Sequence, residues 1–261
     1  FRSISANGAT NGILLNNTGS AGGLTVTGTS SAGSGGTIQN CSEHGISLTN
    51  TVNVNLSWMN LMNNLGSGIS GGTINGFRLD RMSISGNGND AADDESGINL
   101  TEVTGSAFNG SNPTGITNST ISNNCEFEVQ ITNNSGTLTD FRLTDNVISA
   151  NGLPINGNPS SPHGNLVNFL AQGTANMTLT ASGGSYTGNI DTSGGKTITA
   201  TAIQADHSGT SCTMTADISG ATITNNNVAV TVSNANGGNL VFDIHDNPVV
   251  TGSRAHGLNL F

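Results

Sequence analysis

Four carboxylates, Asp90, Asp93, Asp94 and Glu95, fall within six residues of one another in the stretch NGNDAADDESG. Acids placed this way can hold Ca²⁺, which takes six to eight oxygens from Asp, Glu, backbone carbonyls and water. The order DAADDE lacks the alternating acids and fixed glycine of an EF-hand loop, and it does not match the glycine-rich nonapeptides of calcium-binding β-rolls. The stretch is read first as a solvated acidic loop. A calcium site formed by Asp90, Asp93, Asp94 and Glu95 is the alternative, and calcium is the one cofactor to consider. The three cysteines, Cys41, Cys125 and Cys212, are odd in number and far apart, so they give neither a disulfide framework nor a metal-ligand spacing. Cys41 and Cys125 each follow an apolar, polar, Asn pattern and are expected to be buried thiols packed inside turns. The five histidines occupy different turns without a nucleophile at a recognisable spacing, and no glycine-rich phosphate loop joins a strand to a helix.

What positions these residues is a repeat. In TIQNC, NLMNN and SISGN the central residues Ile38, Leu61 and Ile84 are 23 residues apart each time, and a fixed period of this size marks a solenoid. The pattern returns as TISNN at Thr120, VISAN at Val147 and TITNN at Thr222. GFRLDRMSISGNG (Gly76 to Gly88) aligns without a gap on DFRLTDNVISANG (Asp140 to Gly152). The alternation within these runs predicts strands with Phe77, Leu79, Ile84, Phe141, Leu143 and Ile148 pointing into one stacked interior. A second element begins Gly-apolar-polar-apolar, as in GISL (Gly45), GINL (Gly97) and GLNL (Gly257). One turn of the repeat therefore holds about three short strands, and nine or ten stacked turns would make a rod roughly 45 Å long at the ~4.8 Å strand spacing.

The asparagines have a physical job in such a rod. Asn40, Asn63 and Asn123 share one register, and Asn64, Asn87, Asn124 and Asn151 share the next. Asn tolerates the left-handed backbone of a tight bend, and stacked amides can bond one another in ladders. Between Ile84 and Ile121 the spacing widens to 37, which places an inserted loop of 14 residues just past Asn87, at the acidic stretch.

Composition narrows the function. Only 8% of the residues are charged, 4% are aromatic, and the net charge is -10 with six Lys and Arg scattered along the chain. Binding a phosphate backbone or an anionic membrane needs clustered Lys and Arg, so neither nucleic acid nor a membrane surface is an expected partner. No apolar run is long enough to span a bilayer. The chain opens at Phe1 and closes inside GLNL, which leads to the expectation of a single domain over residues 1–261, continuous with further domains of a longer polypeptide.

The IxNN and GIxL motifs, repeated about one coil apart over essentially all 261 residues, resemble the right-handed parallel β-helix repeat. The opening GILLNNTGSAGGLTVTG with GSGGTIQNC is similar to repeat regions of large bacterial surface exoproteins and adhesins. The resemblance implies an all-β right-handed parallel β-helix serving as an extracellular structural or adhesive segment, with carbohydrate or a host or neighbouring cell surface as partner. It also implies an alternative, because the repeat carries lyases, hydrolases and tailspike-type carbohydrate-binding proteins. Pectate lyases of this fold use a Ca²⁺-binding carboxylate cluster and an arginine base on one sheet face. The residues of this chain that answer to that pattern are Arg78 and Arg142, outward in the same register, with Asp80 and Asp140 nearby. Gly115 occupies that register in the coil between them, leaving the arginines ~10 Å apart, and ion pairing explains them without chemistry. The Gly-His-Gly and Arg-Ile-Lys motifs of polygalacturonases are absent; EHG, PHG and AHG are partial echoes. Trp58, the single tryptophan, aligns with Arg81 one coil on and is expected to pack at the rim of a bend. Repeated Thr-x-Thr pairs are read as exposed strand threonines, because the uneven coils after Ile148 argue against one flat water-ordering face.

Overall fold

Alternating short apolar and polar residues, punctuated by Asn and Gly, fold here into a parallel β-helix. The computed structural model describes residues 1–89, 95–106, 113–149, 164–188, 201–234, 237–246, 248–253 and 255–260. Among these there are strands and turns but no helix, so no helix is long and apolar enough to cross a membrane. The twenty-four strands, β1 to β24 in chain order, stack as three faces.

Face one is a nine-stranded parallel sheet: β1 (Ala6–Asn7), β4 (Gly36–Gln39), β6 (Met59–Met62), β8 (Ser83–Ser85), β11 (Thr120–Ser122), β14 (Val147–Ser149), β17 (Ser185–Thr187), β20 (Thr222–Thr224) and β23 (Val249–Thr251). Face two runs through β2 (Ile13–Thr18), β9 (Ile98–Thr104), β12 (Val129–Asn133), β15 (Val167–Ala171), β18 (Thr201–His207), β21 (Val228–Asn234) and β24 (His256–Leu260). Face three runs through β3 (Leu24–Val26), β10 (Thr114–Thr117), β13 (Thr137–Thr144), β16 (Asn176–Ser182), β19 (Thr213–Ser219) and β22 (Asn239–His245). Faces two and three join through the long strands β5 (Ile46–Ser57) and β7 (Ile69–Asp80), which bend at the left-handed residues Asn50 and Asn53 and at Thr73 and Gly76.

Register accounts for the core. Ile38, Leu61, Ile84, Ile121, Ile148, Tyr186, Ile223 and Val250 form one inward column, one residue per coil. Phe77, Leu79, Ile84, Phe141, Leu143 and Ile148 are all fully buried in a single apolar cluster, as their alternation predicts. Each such side chain contributes about 1.5–3 kcal/mol by leaving water. In the last coil the same inward columns have a neighbour on one side only, and Phe242, Val250 and Leu258 are 42%, 39% and 46% exposed.

The corner between faces one and two explains the repeat motif. Asn40, Asn63, Asn123 and Asn225 take φ of 54–59°, and the residue after each turns inward. Asn64 donates to Asn87 Oδ1 (2.7 Å), Asn87 donates to Asn124 Oδ1 (2.9 Å), and each of these oxygens also accepts a backbone N–H from the preceding coil. The glycine that opens GIxL makes room for this ladder: a Cβ on Gly97 would lie 2.7 Å from the Asn124 amide nitrogen and 2.6 Å from the Glu128 carbonyl oxygen. Asn151, expected to extend the ladder, lies outside the described residues. At Asn124 the ladder meets Glu128, whose carboxyl oxygens accept the Asn124 side-chain amide (2.5 Å) and backbone N–H (3.3 Å).

One sequence expectation is corrected. The 14 residues added between Ile84 and Ile121 do not form one loop at the acidic stretch. Ile69 pairs with Ile98, and Phe77 pairs with Thr114. Six extra residues therefore enter before β9 and the other eight between β9 and β10. The inward strands alone carry the repeat signal, so the sequence registers the total length of an insertion but not how the corners share it.

Candidate functional site

Strand alternation turns every second residue of face three outward, and the charged side chains gather there. One outward column reads Asn55, Arg78, Gly115, Arg142, Thr180, Asp217 and Asp243; the next contains Asp80, Thr117, Thr144, Ser182, Ser219 and His245. Arg78 and Arg142 thus share a register with Gly115 between them, as the sequence indicates. The carboxylates engage other partners. Asp80 accepts from Arg81 Nη1 (2.5 Å), Thr117 Oγ1 (2.9 Å) and Asn118 Nδ2 (3.3 Å). Asp140 sits at a bulge where the β13–β16 register shifts, and accepts from Arg142 Nε (2.6 Å) and Thr180 Oγ1 (2.8 Å). Asp80 and Asp140 are two coils apart, ~10 Å along the axis and about as far again across the sheet. That exceeds the 5–9.5 Å at which paired acids cleave a glycosidic bond. The fold brings Arg142 to Asp140 and Arg81 to Asp80, but it does not gather the four candidates into one cluster.

A groove lies at the corner between faces three and one. The corner residues Trp58, Arg81 and Asn118 all take left-handed φ (61°, 53° and 50°), an uncommon conformation for Trp and Arg. Each is held by its neighbours. Trp58 packs on Gly28, where an added Cβ would lie 2.8 Å from the Trp58 Cβ and 3.0 Å from its ring Cδ1, and the Arg81 guanidinium lies 5.2 Å from the ring centroid. Asp80 then fixes the other side of Arg81. Next to this stack opens a cavity of about 480 Å³, bounded by Gly33 and by the outward side chains Asn60, Ser83 and Thr120 of face one. The alignment of Trp58 with Arg81 was visible in the sequence. The cavity was not, because its walls come from an irregular loop and from a coil 37 residues further on.

The remaining titratable groups are dispersed. Asp90, Asp93 and Asp94 lie outside the described residues; Glu95 is half-buried and accepts the backbone N–H of Asn89 at 2.5 Å. Among the described residues no three His, Cys, Asp or Glu side chains are placed to hold a metal ion. Cys41, Cys125 and Cys212 are buried and form no disulfide, and burial pushes the Cys41 thiol above its ordinary value. His44 accepts the Ser67 backbone N–H through Nδ1 (3.0 Å), and burial lowers its pKa. His245 bonds Asp217 (3.0 Å), which raises its pKa. Glu128 is fully enclosed; loss of water outweighs the Asn124 hydrogen bonds and pushes its carboxyl up to about 8. The Thr-x-Thr pairs divide between faces, with Thr178, Thr180, Thr213 and Thr215 on face three and Thr222 and Thr224 on face one.

No protein-family model matches the chain, and neither a curated protein nor a solved structure matches it.

Proposed function

We propose that this chain is an extracellular structural or adhesive β-helix segment of a bacterial surface or secreted exoprotein. One observation carries the reading: the candidate carboxylates of face three are already occupied by donors of the protein itself. Asp80 is occupied by three donors and Asp140 by two, each including an arginine one or two residues away in sequence. Half-exposed pairs of this kind contribute little stability, but each is neutralised locally, above a core that stacks coil on coil. The scarcity of Lys and Arg points the partner away from polyanions and toward sugars or other proteins.

The test has two arms. Antibody against the protein should label intact source cells, and purified protein should be retained on cell or polysaccharide surfaces. The same preparation, incubated with pectate and neutral polysaccharides with and without Ca²⁺, should release neither reducing ends nor unsaturated uronate. Calcium-dependent release that disappears in Asp140→Asn or Arg142→Ala would replace this reading with the lyase alternative.

A further inference from the structure

The corner groove has the volume of a small-ligand site, and three of its polar side chains, Arg81, Asn118 and Asn60, are held before any ligand arrives. Asp80 and Trp58 together immobilise the Arg81 guanidinium, and Asp80 also holds the Asn118 amide. Asn60 donates to Thr37 Oγ1 (3.4 Å). Asn60, Ser83 and Thr120 stand in exact register on consecutive coils, so three hydrogen-bonding side chains follow the helix axis at ~4.8 Å intervals. Planar amides and a guanidinium offer paired donors and acceptors, the pattern that adjacent hydroxyl groups on a sugar ring satisfy. Fixing them in advance removes much of the ordering cost of binding.

Charge selects among sugars. Asp80 cancels Arg81 within the site, and the chain as a whole carries -10, so an anionic ligand gains no net attraction. The face of the Trp58 ring is taken by Arg81, so recognition relies on hydrogen bonding rather than on a ring stacked against that face. We propose that the groove is a subsite for an uncharged, hydroxyl-rich oligosaccharide, lying along the axis over Asn60, Ser83 and Thr120 with Arg81 and Asn118 beside it. This rests on the adhesive reading and names the ligand class for it.

Trp58 is the only tryptophan in the chain, so its emission reports on this groove alone. Titration with neutral hexamers of glucose, xylose, mannose or N-acetylglucosamine should give a saturable change in emission with at least one of them. Asn60→Ala combined with Ser83→Ala should weaken that binding at least tenfold while the melting temperature stays unchanged. Ser83→Phe, which fills the groove, should abolish it. Silent emission with every neutral hexamer, a response confined to galacturonate hexamers, or full affinity in the double variant would each overturn the proposal. The two readings fail separately. Protein that is retained on cells while its emission stays silent overturns the groove and leaves adhesion standing. Protein whose emission responds but which is not retained upholds the groove and removes adhesion.

Discussion

Replacing Glu128 by Gln sets two opposing effects on a buried carboxyl group against each other. Two donors from Asn124 favour the charged form, whereas complete burial favours the neutral one, and burial wins, raising the group from 4.5 to about 8. A carboxyl whose pKa is higher in the folded than in the unfolded chain binds its proton more tightly when folded. Its contribution to stability is therefore complete below pH ~4.5, falls as pH rises toward ~8, and is level above that. At about 1.4 kcal/mol per pKa unit, the total decline is on the order of 4–5 kcal/mol. Other groups titrate over the same interval, so the useful quantity is the difference between wild type and Glu128→Gln, measured by denaturant unfolding from pH 5 to pH 9. At pH 5 the variant should be less stable by ~1 kcal/mol, because an amide cannot accept from both Asn124 donors. The difference should change sign with rising pH, and by pH 9 the variant should be the more stable by a few kcal/mol. A difference that is constant with pH, or that shifts toward the wild type as pH rises, would mean that Glu128 is ionised in the fold and that the Asn124 hydrogen bonds outweigh burial.

Ile84→Asp would place an unpaired charge in the inward column of face one and should cost several kcal/mol, read as a lost or strongly lowered cooperative melt. Gly97→Ala should destabilise by about 1–3 kcal/mol, because its Cβ would meet the Glu128 carbonyl oxygen and the Asn124 amide; Gly72→Ala, at an outward position of a different register where the new Cβ would crowd only the Thr101 side chain, should cost clearly less in the same denaturation assay. Removing Ca²⁺ with a chelator should leave the melting temperature unchanged if the acidic stretch is only solvated. A fall that Asp93→Asn with Asp94→Asn abolishes would establish the calcium site.

The fold was legible because a solenoid gives equal registers equal environments. Once Ile38, Leu61 and Ile84 were seen to recur, the burial of Phe77, Leu79, Phe141 and Leu143 followed from alternation alone. The Asn register followed from the same step, and the structure adds why a glycine must come a few residues later: the amides of Asn87 and Asn124 occupy the space that a side chain at Gly68 or Gly97 would need. Two things were not legible. The sharing of an insertion among corners leaves no trace in the inward pattern. Ion-pair partners depend on whether a charge lies on a strand or on the bend after it: Asp80 is reached by Arg81 from the bend, a contact that the strand pattern does not register.

The candidate sites stand where the repeat departs from itself, and each departure has a local cause. Glu128 occupies a register that holds Gly45, Gly68 and Gly97 in earlier coils, and it can do so because its own carboxylate receives the Asn124 amide. Trp58 occupies a bend register filled elsewhere by Gly28, Arg81, Asn118, Asp145, Gly183, Gly220 and Asp246, all with positive φ. The strain of a large residue there is met by Gly28 on one side and Arg81 on the other. A substitution that a repeat merely tolerates needs no such matched neighbours. Where a bulky or charged residue breaks the pattern and the coils on both sides are shaped to receive it, the break is part of the design of the surface. The Trp58 corner, with an open cavity beside the matched stack, is the departure that leaves room for a ligand.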